Sequence, residues 1–216
     1  MDATRKFTPD CRREQGAALL TAMVLMLAVL MTGLAGARSA LYGARACAHE
    51  LDRLLALRMA EAALADAERD IEGGTDPGSA RAAAFATGLT TAFAAACEGG
   101  APYDGLCAPE SEPARQVERI AAEDGPAVYF GSFTGRYMPQ GEGGLPVQAP
   151  RYLIELMPAR GAGHLYRITA LGTGASPTTQ AAVQAYYRKP ATAGTPGRRI
   201  GWREIGNLAA LREGAG

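Results

Sequence analysis

One uncharged apolar run, Ala17 to Ala37, constrains this chain more than any other feature. At a helical rise of about 1.5 Å, its roughly 21 residues just reach across the hydrocarbon core of a bilayer. Arg12-Arg13-Glu14-Gln15-Gly16 precedes it directly, with Arg5 and Lys6 further upstream. That basic charge predicts a cytoplasmic N-terminus, although Arg38 and Arg45 beyond the run make the asymmetry small. No proline interrupts the passage into a charged, Ala-rich segment that reaches about Ile71. The pattern predicts one long helix, membrane-spanning over 17–37 and periplasmic over 38–72.

Two processing schemes compete. Ala35-Gly36-Ala37 has the small residues of an ordinary secretory cleavage site. The apolar run is longer than a usual signal core of about 7–15 residues, however, and the helical pattern continues straight across that point. A cut between Gly16 and Ala17 retains the whole helix and is preferred. Residues 1–16 are then a leader, and Cys11 stays behind with it in the reducing cytoplasm.

Beyond Arg38, Leu41, Ala44, Ala48, Leu51, Leu55, Met59 and Ala62 recur at spacings of three and four. That stripe is expected to bury against a sheet and to leave Arg45, His49, Asp52, Arg53 and Glu68 in solvent. Gly73-Gly74-Thr75-Asp76-Pro77-Gly78 stops the helix. Over 73–150, Ser79 to Ala96 reads as a second helical segment interrupted at Gly88. A Pro-, Gly- and charge-rich connector runs to about Pro126, Val128 to Phe133 is a weak strand, and Arg136 to Pro150 is loop.

The clear strands lie within 151–216. Tyr152 to Met157, His164 to Ala170 and Ala181 to Arg188 are joined by connections short enough to force an antiparallel meander. Along the second, Tyr166, Ile168 and Ala170 share one face, and Leu165, Arg167 and Thr169 the other. Gly172-Thr173-Gly174 reads as the turn that ends it. In the tail, Trp202 between Ile200 and Ile205 is expected to close the sheet as a last, core-facing strand. Exposed docking of that Trp on a partner is the alternative.

Cys97 and Cys107 flank the Gly/Pro-rich loop Glu98 to Leu106, in the half expected outside the reducing cytoplasm. A loop without its own core needs a covalent closure, so a disulfide is the natural reading, worth about 2–3 kcal/mol by chain entropy. Two free thiols are the alternative. Cys47 is left over on the helix, partly buried or available for an intermolecular bond.

A short basic leader ending in Gly, followed by such a helix, resembles the N-terminus of type IV prepilins. Ala60-Glu61-Ala62-Ala63-Leu64-Ala65-Asp66-Ala67-Glu68-Arg69-Asp70 resembles the signature that closes the N-terminal helix of PilX-type minor pilins. Tyr166, Ile168, Ala170 and Gly172-Thr173-Gly174, followed by a strand ending in Tyr187-Arg188, resemble the same family. The likeness covers the helix and the C-terminal sheet, with 73–150 unmatched. It implies an α+β, pilin-like fold: a long N-terminal helix packed on a C-terminal antiparallel sheet. It also implies cleavage after Gly16 by a prepilin peptidase and N-methylation of Ala17. Most pilins carry Glu at the fifth mature position, pairing with a neighbour's amine; here that position is Thr21. The missing Glu is shared with PilX-type minor pilins and with the tip pseudopilin of type II secretion.

Enzymatic and metal chemistry have little support. Cys47-Ala48-His49-Glu50 holds ligand types whose spacing does not converge on one helix face, and no second cluster exists, so a zinc site is not expected. His164 stands alone at a strand start, and Ser132 and Ser176 lie in no nucleophile elbow. Gly172-Thr173-Gly174 lacks the rest of any nucleotide fingerprint. No cofactor is expected. Lys+Arg and Asp+Glu both number 22, so charge gives no case for nucleic acid as a partner.

The expectation is a minor pilin, not an enzyme. It is anchored by a single pass in the inner membrane with its C-terminal domain in the periplasm, and then passes to the pilus fibre or its tip. The resemblance implies as partners other minor pilins, a tip adhesin, the major pilin, the inner-membrane assembly platform and prepilin peptidase. It implies roles in priming pilus assembly, twitching motility and adhesion. A minor pseudopilin of type II secretion is the alternative within the fold, and a signal-anchored periplasmic binding or sensor module the alternative outside it.

Overall fold

The structure, a computed structural model, describes residues 15–192, 194–208 and 210. Most of the expected leader, with Arg5, Lys6, Cys11, Arg12 and Arg13, lies outside the described residues. Helix α1 (Gln15–Ile71) carries the apolar run and the charged segment without a break. Two units divide the chain, one up to His49 and one from Glu50 onward, and each is described by itself.

In the first unit α1 exposes its apolar side chains: Leu19, Met23, Leu27, Leu30 and Leu34 are each more than half accessible. An 18-residue window here reaches a mean hydropathy of 2.3 with none of it buried, so this part is long and apolar enough to cross a membrane.

In the second unit, α1 from Glu50 packs on a six-stranded sheet. Strands β3 (Arg151–Met157), β4 (His164–Thr173), β5 (Gln180–Lys189) and β6 (Arg198–Glu204) form the antiparallel meander. Two short strands extend it beside β3: β1 (Leu106–Cys107), which is parallel, and β2 (Val128–Tyr129), which is antiparallel. The fold is α+β and pilin-like, with a mostly antiparallel sheet. Of the expected strand from Val128 to Phe133, only the first two residues pair.

Both faces of the central strands β3, β4 and β5 are buried over most of their length. Tyr152, Ile154, Tyr166, Ile168, Ala170, Val183 and Ala185 meet Ala60, Ala63, Leu64, Ala67 and Ile71 of α1. On the other face Leu153, Leu171 and Ala182 meet Cys97, Cys107 and Ile120.

The helix stripe turns out one residue away from the one expected. Ala56, Ala60, Ala63, Leu64, Ala67 and Ile71 are buried; Leu55, Met59 and Ala62 are intermediate, and Leu51 is exposed. The reason is close approach. A Cβ on Gly172 would lie 2.1 Å from the Ala56 carbonyl oxygen and 2.3 Å from the Ala60 nitrogen. Only a helix face of methyl groups over a strand glycine allows backbones so near, so the larger Leu and Met side chains flank the seam. The same contact corrects the reading of Gly172 and Thr173 as a turn: both belong to β4, opposite Ala181 and Gln180. Asp52, expected in solvent, accepts the Ala175 N–H at 2.6 Å.

Helix α2 (Ala80–Thr87) is capped by Ser79, whose Oγ accepts from the Ala82 N–H, and ends at Gly88 in the left-handed region. Short 3₁₀ turns at Thr90–Ala92 and Ala95–Cys97 replace the rest of the expected helical segment. The expected connector contains helix α3 (Pro113–Ala121). Its proline at the first turn presets the backbone, and Val117 and Ile120 three residues apart give it a buried side.

Candidate functional site

Gly16 and Ala17 lie in the first turn of α1. Thr21 donates its hydroxyl to the Ala18 carbonyl at 2.9 Å. Its polar group is therefore satisfied within its own helix and needs no partner inside lipid. Cys47 is an exposed free thiol.

The helix signature residues divide by face. Ala63 and Leu64 are core, Ala62 is half-buried, and Glu61 pairs with Arg58 at 2.8 Å at the surface. Asp66 is fully buried and accepts from the Gly131 N–H at 2.8 Å and from the Thr134 hydroxyl. Glu68 holds Arg199 of β6 at 2.6 and 3.0 Å. Asp70 receives the Arg81 guanidinium at two points and the Tyr152 hydroxyl at 3.0 Å. Three carboxylates on one helix thus fasten three segments distant in sequence: the 131–134 turn, the edge strand and α2.

Cys97 and Cys107 form a disulfide. The loop they close has further anchors, which corrects the expectation that it lacks any other hold. Arg81 donates to the carbonyls of Pro102 at 2.7 Å and Asp104 at 2.8 Å. Both half-cystines are fully buried beside Ile120 and Leu153. Beyond the loop, Glu155 is wholly buried, accepts from Arg167 at 2.6 and 2.7 Å, and also accepts the Glu110 N–H at 2.9 Å. The Glu155 hydrogen bonds push the Arg167 pKa up, and the Glu112 N–H holds the Glu110 carboxyl below its ordinary value.

Burial raises the pKa of three tyrosines. Tyr152 goes well above its ordinary value through burial and then the Asp70 charge. Tyr166 and Tyr187 also rise, chiefly through burial and then the charge of Glu72. These phenols are structural donors: Tyr166 bonds the Phe85 carbonyl at 2.7 Å and Tyr187 bonds Glu72 at 3.0 Å.

Among the described residues no three or more metal-ligating side chains converge. His164 borders an apolar cavity of about 390 Å³ with Phe93, Leu156 and Met157. Trp202 is 49% exposed, which overturns the core reading. It pairs with Ala185 of β5, but β6 is the edge of the sheet, so one side of the indole has no neighbouring strand. Sequence reasoning missed Arg81, Tyr152 and the Glu155–Arg167 pair. The available signal was a lone Arg in an Ala-rich helix and opposite charges on adjacent strands.

Residues 86–189 match the family described as type IV pilus assembly protein PilX, C-terminal region. The matched range runs from the end of α2 through β5 and includes the disulfide loop and α3. It takes in much of the middle that carried no resemblance on motifs alone. No curated protein and no solved structure gave a significant match. The family is one of pilus structure rather than of enzymes, and the apolar helix fits a single-pass anchored pilin. The match over residues 86–189, together with the long apolar helix, supports a PilX-type minor pilin of the type IV pilus.

Proposed function

We propose that the chain belongs to a membrane-anchored minor-pilin complex that primes pilus assembly and stays at the fibre tip. Prepilin peptidase cuts between Gly16 and Ala17, Ala17 is N-methylated, and the domain from Glu50 onward sits in the periplasm. The single observation that carries the reading is Thr21 and its bond to Ala18. A subunit within the fibre uses a carboxylate here to meet the amine of the subunit ahead. A tip subunit has none ahead and does without it, since an unpaired carboxylate in lipid is costly. Drawn from lipid, the apolar face of α1 must be buried again against neighbouring helices, which couples extraction to polymerisation. The partners on this reading are other minor pilins, a tip adhesin, the major pilin and the assembly platform.

The test is Thr21→Glu. Membrane insertion is expected to persist with no gain in pilus number. A marked rise in copies of the variant along the fibre would replace the tip assignment with a mid-fibre one.

A further inference from the structure

Strand β6 ends the sheet, and every residue from Arg198 to Arg203 is exposed. The Ile205 N–H points inward to the Ala182 carbonyl at 2.8 Å. Antiparallel alternation therefore turns the N–H and C=O groups of Trp202 and Glu204 outward, where no described strand meets them. The edge runs for seven residues without proline and shows Ile200 and Trp202, 57% and 49% exposed. Two ion pairs pin it to α1 on either side of Trp202: Arg53 with Glu204 at 2.6 Å, and Glu68 with Arg199 at 2.6 Å. Those pairs engage Arg199 and Glu204 and leave two cations. Arg198 has no ion-pair partner among the described residues, and Arg203 meets only the neutral Gln184 amide at 3.0 Å. Both stand on the sheet face away from α1, opposite Arg188 and Gln184, while Trp202 lies opposite Ala185 on the α1 face. Gln184 and Arg188 are four residues apart, so the bulge at Tyr186/Tyr187 sets Arg198 and Arg203 at a four-residue spacing.

We propose that the outer edge of β6 takes an extended acidic strand from another polypeptide and adds it to the sheet. An open edge supplies the main-chain bonds for such an addition, and alternate side chains supply the selectivity. The strand that fits carries carboxylates at positions i and i+4, facing Arg203 and Arg198. Its residues at i+1 and i+3 are apolar and lie on the Trp202 side. Charged edges and bulges ordinarily guard a sheet against pairing. Here the two arginines turn away a basic strand and favour an acidic one. A second copy of β6 is a poor occupant, because each strand brings three arginines and a single Glu that is already engaged. Like charges directly opposite one another work against pairing. The surface goes beyond the priming role and does not rest on it: a deletion strain with normal pili would overturn priming and leave binding at this edge untouched.

The experiment uses the mature chain in detergent micelles. Trp202 is the chain's only tryptophan, so its fluorescence reports on the edge directly. The probe is acetyl-Glu-Val-Thr-Val-Glu-amide, compared with its Gln analogue and with a form N-methylated at the three central residues. The Glu peptide is expected to change the fluorescence saturably and to slow hydrogen exchange at the Trp202 and Glu204 amides. Arg198→Gln and Arg203→Gln are each expected to weaken it about fivefold, the scale of one exposed charge contact. Both side chains are exposed, so these variants keep the fold. The methylated form is expected not to bind, since it cannot donate to the ladder. Any of four results would overturn the proposal. These are no saturable change with the Glu peptide, an equal response to the Gln analogue, and an equal response to the methylated form. The fourth is slow exchange at Trp202 and Glu204 that appears without peptide as the protein is concentrated, which would give the edge to a second copy.

Discussion

Arg81 and Asp70 form a two-point ion pair, Nε to Oδ1 at 2.8 Å and Nη2 to Oδ2 at 2.7 Å, with both side chains at most 3% exposed. The same guanidinium reaches the carbonyls of Pro102 and Asp104 and lies 3.7 Å over the Phe133 ring. One side chain therefore joins the end of α1, helix α2 and the disulfide loop. Buried charge is tolerated here because its donors and acceptors are answered.

Removing one member of the pair should be severe. Arg81→Leu leaves Asp70 buried without its cation, and a loss of about 3–5 kcal/mol is expected in denaturant unfolding of the domain. The double variant Asp70→Asn, Arg81→Leu should lose less than the sum of the two singles, because the two residues act on each other. Strict additivity would show that the pair is not the coupling element.

Much of this arrangement was legible in the sequence. The long helix, the three long strands and the disulfide followed from apolar length, alternation and compartment. The buried face of α1 did not, because alanine scores as apolar on every side of a helix and cannot mark one. What selects the face is Gly172, more than a hundred residues away, and such a contact has no local signature. Helix α3 was hidden by its charge, and Trp202 by a general preference for burial that an edge strand does not honour. Asp66 and Asp70 stood in the quoted signature, but nothing local shows that they point inward to partners elsewhere.

Gly172→Ala tests the seam directly. Its new Cβ would meet helix backbone at 2.1 and 2.3 Å, which neither a rotamer change nor a flexible side chain can relieve. A destabilisation of about 1–3 kcal/mol is expected. Gly201→Ala on β6 meets nothing within 4 Å and should leave the thermal midpoint nearly unchanged. Equal effects at the two positions would remove close approach as the explanation.

Breaking the Cys97–Cys107 bond by a double Cys→Ala change should cost about 2–3 kcal/mol by chain entropy. The loop should nonetheless keep its place, since Arg81 and the pairing of β1 with β3 remain. Hydrogen exchange at Leu106 and Ile154 would report it: protection should fall but persist.

Alkaline pH should destabilise the domain. Tyr152, Tyr166 and Tyr187 hold their protons more tightly when folded, so above about 10, the ordinary phenol value, the unfolded chain binds fewer protons than the native one. Stability is then full below that value and is lost as pH rises through the folded pKa values. Tyr152→Phe should flatten this alkaline decline, with a penalty at neutral pH for the lost bond to Asp70.

The central claim is that this PilX-type chain primes pilus assembly. The most direct measurement is the number of surface pili per cell in a deletion strain, against the same strain carrying the wild-type chain. The account predicts a sharp fall on deletion and full recovery with the wild-type copy, whose mature N-terminus reads Ala17. Normal piliation and motility in the deletion strain would contradict it.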